Sequence, residues 1–452
     1  MGNVQFEEEL TWKGGSMAQM KDSGIAWIGE IPNEWLLKKL DYMSISYSGG
    51  TPDRDNFSYW DNGTINWMSS GEVNKRLVYD TDEKISIKGL RNSSAKLYPE
   101  NTVMFAMNGQ GKTKGMTAIL KTISSGNQSL VGFICDEKEL HYRYLDYCFQ
   151  ASYKYNRSYY GGGDNRDGIA ASNIKKMKLP VPPYKEQIEI SKFLDSEVIK
   201  LDKIIADAQK SLEILQETRK SIIFETVTRG LKKDRELKDS GIAWIGEIPS
   251  EWLLKKLDYM SISYSGGTPD RDNFSYWDNG TINWMSSGEV NKKLVYDTDE
   301  KISIKGLRNS SAKLYPENTV MFAMNGQGKT KGMTAILKTI SSGNQSLVGF
   351  ICDEKELHYR YLDYCFQASY KYNRSYYGGG DNRDGIAASN IKKMKLPVPP
   401  YKEQIEISKF LDNKVVILDK VICKVKKIIE LAEQTKKSLI YEYVTGKERV
   451  EV

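Results

Sequence analysis

The sequence predicts a mixed α+β protein built from two copies of one globular domain, each followed by a long helix. Three observations predict this. The stretch from Lys21 to Asp195 returns as Lys238 to Asp412 with two changes: Asn33 becomes Ser250 and Arg76 becomes Lys293. Each copy ends in a long run that lacks both Gly and Pro, and its apolar positions recur in steps of three and four. Within each copy, short β-rich runs alternate with Gly, Asn and Ser turns.

A length of 452 residues suits two to four domains. Residues 1–20 have no counterpart before the second copy and read as a leader or an appended segment, with Met17 and Met20 as candidate native starts. The domain boundaries then fall at 21–183 and 238–400 for the globular copies, and at 184–230 and 401–447 for the helices. The repeat period is far too long for a solenoid and marks a domain duplication or a deliberate fusion of two copies. Identity stops abruptly after Asp195 and Asp412, a little way into the helices: 14 of 33 positions agree between Ser196–Thr228 and Asn413–Thr445.

The globular copy (33–180) reads as α+β. Thr64–Met68, Lys84–Ile87 and Thr102–Phe105 are the clearest strand candidates, and a helix is expected over Leu140–Arg157. Pro180-Val-Pro-Pro183 closes the copy, since proline favours an extended run just before a helix. In the helix that follows, Val198, Leu201, Ile205, Ala208, Leu212, Leu215 and Ile222 form a heptad seam that Arg219 interrupts. The second helix repeats it with Val415, Leu418, Ile422, Val425, Ile429, Ala432 and Leu439, and Lys436 stands where Arg219 stood. A lone helix with one apolar stripe is unstable in water. A coil with another chain would cover the stripes. So would an antiparallel coiled coil within this chain, which the matched heptads favour and which would give the molecule a pseudo-two-fold axis.

The net charge of +6 and pI of about 8.7 permit a nucleic-acid partner without establishing one. Five cysteines with no C-x-x-C pair, and only His141 and His358, argue against zinc and for reduced thiols in a cytoplasmic setting. No apolar run is long enough for a membrane span. Three loops in each copy carry base-reading chemistry. They hold Ser69, Ser70, Glu72 and Lys75; then Asn108, Gln110, Lys112 and Lys114; then Tyr160, Asn165 and Arg166. Their copies are Ser286, Ser287, Glu289 and Lys292; Asn325, Gln327, Lys329 and Lys331; and Tyr377, Asn382 and Arg383. Asn and Gln can pair bidentately with adenine, Lys and Arg with guanine, and Glu can accept from cytosine, while the glycines let backbone approach phosphate. Gly/Asn clusters are also ordinary turns, so it is the recurrence of three such loops that points to a binding face.

Two enzyme motifs fail. Ala106–Thr113 lacks the first glycine of a nucleotide-binding G-x-x-x-x-G-K-[ST] loop. Val181-Pro-Pro-Tyr184 lacks the polar first residue that an adenine methyltransferase needs to hold its target amine.

Three segments together resemble the specificity subunits of type I restriction-modification enzymes: Asp22–Trp35, Lys178–Leu194 and Thr218–Gly230, each recurring in the second copy. The resemblance covers residues 21–448. It implies two target-recognition domains on a helical strut, each reading half of a split site in double-stranded DNA, with no catalytic centre and no cofactor in this chain. Two methyltransferase subunits would bind it and carry S-adenosylmethionine, and endonuclease subunits would join the larger assembly. This chain departs from the family's usual pattern in that its two domains are the same, so the expected target is an interrupted palindrome. A protein-interaction scaffold with no DNA role is the rival reading.

Overall fold

The computed structural model describes residues 19–161, 168–326, 328–378 and 385–450. It resolves into two compact units. The first holds the first globular copy, the first long helix up to Asp207, and the chain from Ile428 onward; the second is Ala208–Lys427.

In the first unit a five-stranded sheet forms the centre. Its strands, in chain order, are β1 (Ser44–Ser48), β2 (Leu77–Val78), β3 (Val103–Ala106), β4 (Thr117–Leu120) and β5 (Leu130–Cys135), arranged β1-β5-β3-β4-β2. All neighbours are antiparallel except β2 and β4. Alternate residues of a strand face opposite sides, and here both sides are covered. From β3, Val103 and Phe105 enter the large core, while Met104 and Ala106 enter a smaller one with Met68, Val73 and Tyr98. That two-sided burial is why these strands read as continuous apolar runs. A second sheet of three strands, Ser124–Gly126, Ile65–Met68 and Glu83–Ile85, lies beside it in the fold.

The expected strands lie within one or two residues of their observed bounds. Ile87 is the exception: Ser86 caps a short helix, Ile87–Arg91, by accepting from Gly89 N–H. The expected Leu140–Arg157 helix is Tyr142–Ala151, followed by a short turn and a π-helical turn over Asn156–Tyr160.

The two long helices span Tyr184–Arg229 and Tyr401–Thr445, and each ends at a glycine with positive φ, Gly230 (+75°) and Gly446 (+72°). The heptad positions are buried or half-buried along both, and most of their neighbours are exposed. In the first unit the start of the first helix runs antiparallel to the end of the second. The Phe193 and Tyr443 rings meet at 4.5 Å, and Asp202 pairs with Lys436 at 2.5 Å. The large core takes Ile190, Leu194 and Val198 from one helix and Ile440 and Val444 from the other. The Tyr144 hydroxyl donates to the carbonyls of Pro180 and Val444, both at 3.0 Å.

The second unit has the same construction with the helices exchanged. Its five-stranded sheet joins Ser261–Ser265, Leu347–Cys352, Val320–Ala323, Thr334–Leu337 and Leu294–Val295 in that order. Its core draws Ile407, Leu411 and Val415 from the second helix and Ile223 and Val227 from the end of the first. Tyr361 donates to the carbonyls of Val227 and Pro397, and Arg219 pairs with Asp419 at 2.7 Å. No helix among the described residues is long and apolar enough to cross a membrane.

Candidate nucleic-acid interface

The first loop follows the Ile65–Met68 strand as a 3-10 helix, Ser70–Lys75. Glu72 is buried beneath it and organises it. One carboxylate oxygen accepts from Ser69 N–H at 2.7 Å; the other accepts from Asp82 N–H at 3.0 Å and from Lys75 Nζ at 2.8 Å. Lys75 also reaches Asp82 at 2.8 Å, and these two carboxylates, Asp82 foremost, raise its pKa. Both charged groups of this loop are therefore already satisfied within the domain. Ser69 and Ser70 stay half-exposed. Glu289, Lys292, Ser286 and Ser287 repeat the arrangement.

The second loop leaves β3 and returns through Gly115, whose N–H donates to Ala106 at 2.8 Å. Asn108, Gln110 and Lys112 are exposed, while Lys114 is 4% exposed and donates to the Gly161 carbonyl at 3.0 Å. Lys114 thus ties this loop to the third segment. Two further ties converge there: Tyr153 donates to the Lys112 carbonyl at 2.7 Å, and Arg157 donates to the carbonyls of Gly111 and Lys114 at 3.0 and 2.9 Å. Gly115 sits at φ +87° with Arg157 Cγ 3.3 Å from where a Cβ would be, so a side chain there would part the loop from its tether. Asn108 lies against Gly168, at the far end of the same segment.

On the third segment, Tyr160 is half-buried and packs edge-on to Tyr155 and Tyr159; burial pushes its hydroxyl up to about 12. Tyr159 stacks on Tyr155 at 4.9 Å and is 68% exposed, so its outer face is open. The second copy matches at Asn325, Lys329, Lys331 and Tyr377. Asn165, Arg166, Gln327, Asn382 and Arg383 lie outside the described residues. The second and third loops therefore form one hydrogen-bonded surface in each unit, with Gln110, Lys112 and Tyr159 outermost in the first.

A sequence profile described as "Type I restriction modification DNA specificity domain" matches residues 32–214 and again 249–431, more than half of the chain. The chain belongs to this family. Family members are the DNA-recognition components of their systems and are not themselves catalysts, and the scaffold reading is not favoured.

The specificity chain is 23% identical over 437 residues to the "Type I restriction enzyme MjaIX specificity subunit" of Methanocaldococcus jannaschii, covering 94% of this chain and 96% of that one. It is 26% identical over 287 residues to the "Type I restriction enzyme EcoR124I/EcoR124II specificity subunit" of Escherichia coli, covering 62% and 64%. Its fold matches a solved chain described under "Structural basis underlying complex assembly and conformational transition of the type I R-M system". The TM-score is 0.68 at 12% identity, with 92% of this chain and 99% of that chain covered.

Sequence reasoning did not single out Arg157 or the open face of Tyr159 in the specificity chain. The available signal for the latter was spacing: Tyr155 and Tyr159 stand four apart, which places two rings on one side of a helical turn.

Proposed function

We propose that both domains of this specificity subunit read the same short DNA word, in opposite directions, so that the target is that word, an unread gap and the reverse complement. The observation that carries this is the near-identity of the two copies. Between Lys21–Asp195 and Lys238–Asp412 only Asn33/Ser250 and Arg76/Lys293 differ, and neither lies on the surface formed by the second and third loops. The equivalent seats support it: each domain sits on the start of its own helix and the end of the other, with Tyr144 and Tyr361 bonding to equivalent carbonyls. A two-fold axis relating two identical readers would match a duplex whose strands are themselves so related. Half-sites about 34 Å apart, roughly one turn of the duplex, would place both readers on one face of it.

On this reading Lys112 and Lys329 meet phosphate, Gln110 meets a base, and Tyr159 and Tyr376 offer flat apolar faces. The helices set the gap. Two methyltransferase subunits, carrying S-adenosylmethionine, modify equivalent adenines on the two strands, and endonuclease subunits complete the larger assembly.

The test is selection from a random duplex library by this chain assembled with its methyltransferase partner. Enriched molecules should contain one word of about 3–5 bases, a fixed gap and the word's reverse complement. Enrichment of unrelated halves would overturn the proposal.

A further inference from the structure

Arg76 and Lys293, one of the two differences between the copies, face the part of the molecule where the copies diverge. In the first unit, Arg76 Nη1 donates to Gln150 Oε1 at 2.8 Å, and Lys436 of the opposing helix pairs with Asp202 at 2.5 Å. In the second unit the cations are exchanged. Lys293 donates to Asp419 at 2.7 Å. Arg219 of the opposing helix donates to Asp419 at 2.7 Å and to Gln367 at 3.3 Å. Asp202 and Asp419 are equivalent positions, as are Gln150 and Gln367. Each junction therefore holds one guanidinium and one ammonium. In both, the guanidinium reaches the glutamine and the ammonium reaches the aspartate, although the domain supplies the guanidinium in one unit and the helix supplies it in the other; in the second unit the guanidinium also shares the aspartate.

The chemistry explains the pairing. A guanidinium is a planar fork that can serve two acceptors, while an ammonium is a compact point charge. Two lysines would compete for the aspartate and leave the glutamine oxygen without a cation. Two arginines would crowd one carboxylate. The glutamine is also anchored from behind: Gln150 donates to Asp146 at 2.9 Å, and Arg143 links Asp146 to Asp195 of the first helix. Gln367, Asp363, Arg360 and Asp412 repeat this chain.

A second observation marks the domain residue. Arg76 and Lys293 have φ of +60° and +61° with ψ near −47°, a strained region for any residue with a side chain. A long cationic residue is held in this conformation in both copies, where glycine would relieve the strain.

We propose that Arg76/Lys436 and Lys293/Arg219 are matched positioning pairs that key each recognition domain to its seat on the helices, and that this keying sharpens the gap the subunit accepts. The second clause rests on the reading that the helices set the gap. The electrostatics agree with close engagement. Burial, with repulsion from Arg76, holds the Lys436 pKa below its usual range against the pull of Asp202. At Asp419, burial opposes ionisation, yet Lys293 and Arg219 together hold the carboxyl below its usual value.

The experiment is a set of exchanges in the full chain assembled with its methyltransferase partner. It compares methylation at the native gap with methylation at gaps one base pair longer and shorter. Arg76→Lys and Lys436→Arg should each lower that ratio by roughly three- to fivefold, the scale of one part-buried ion pair. The double variant recreates the second unit's pairing and should restore the ratio to within about twofold. Lys293→Arg, Arg219→Lys and their double form an independent second cycle. A double variant no better than its two singles combined, in both cycles, would overturn the keying, and so would single variants whose ratio matches the unaltered protein. Failure of the underlying reading looks different: the unaltered protein itself would not discriminate between gaps.

Discussion

The globular copies and the long helices have diverged to opposite extents. The copies keep all but two positions, and their loops, strands and buried polar groups repeat almost bond for bond. The helices keep 14 of 33 positions over their later part, yet the seats they offer are chemically equivalent. Glu186 receives Arg449 and Glu403 receives Arg235, both at 2.7 Å, although the two arginines do not occupy equivalent places in the repeat. Asp202 receives Lys436 and Asp419 receives Arg219. The whole globular copy is repeated, core as well as loops, while the later part of the coil keeps the apolar character of its seam and a few charges.

The largest expected effect comes from lengthening the apolar seam. Arg219 pairs with Asp419 in an antiparallel coil, so Leu212 stands opposite the neighbourhood of Lys426. Inserting four residues after each would extend the coil by about 6 Å, nearly two base-pair steps, and turn each helix about 40° past one full turn. Methylation at the native gap should almost vanish and reappear at a gap about two base pairs longer, with the word unchanged. An unchanged gap would show that the helices are not the ruler.

A smaller effect should be the same in both copies. Glu72→Ala orphans the N–H groups of Ser69 and Asp82 and removes one of the two carboxylate partners of Lys75. The expected cost is about 1–3 kcal/mol, read as a lower unfolding midpoint. Glu289→Ala should match it. Unequal losses would mean that the two loops are not equivalently built.

Two lysines of one loop should separate binding from folding. Lys112→Ala, with Lys329→Ala, should weaken DNA binding broadly and flatten its dependence on salt without moving the unfolding midpoint. Lys114→Ala should lower the midpoint, because that ammonium is buried against Gly161. The sequence shows both as lysines in a glycine-rich loop and offers no period by which to tell them apart. The partner that buries Lys114 lies 47 residues away. Glu72 is similar: its burial depends on the Asp82 backbone folding over it. By contrast, the repeat, the strands and the heptad seam were legible because each depends on periodic burial or on plain recurrence. Arg219 stood out as a break in that seam, but its partner Asp419 is 200 residues away and only the fold joins them.

The smallest expected effect is on pH dependence. Burial holds His141 and His358 below the usual imidazole range, with Asp195 and Asp412 partly opposing. Each folded pKa is lower than the unfolded one, so the unfolded chain binds the proton first. Stability should be full above the ordinary histidine pKa of about 6.5 and decline as the pH falls through it. His141→Gln and His358→Gln should each remove a similar share of that decline, measured by denaturant unfolding between neutral and mildly acidic pH.

The most direct measurement of the central claim is strand-resolved mapping of methylated adenines in DNA exposed to this subunit with its methyltransferase partner. One interrupted palindrome is expected, with equivalent adenines modified to the same extent on the two strands. Two unrelated half-sites, or one word repeated head-to-tail on a single strand, would contradict it.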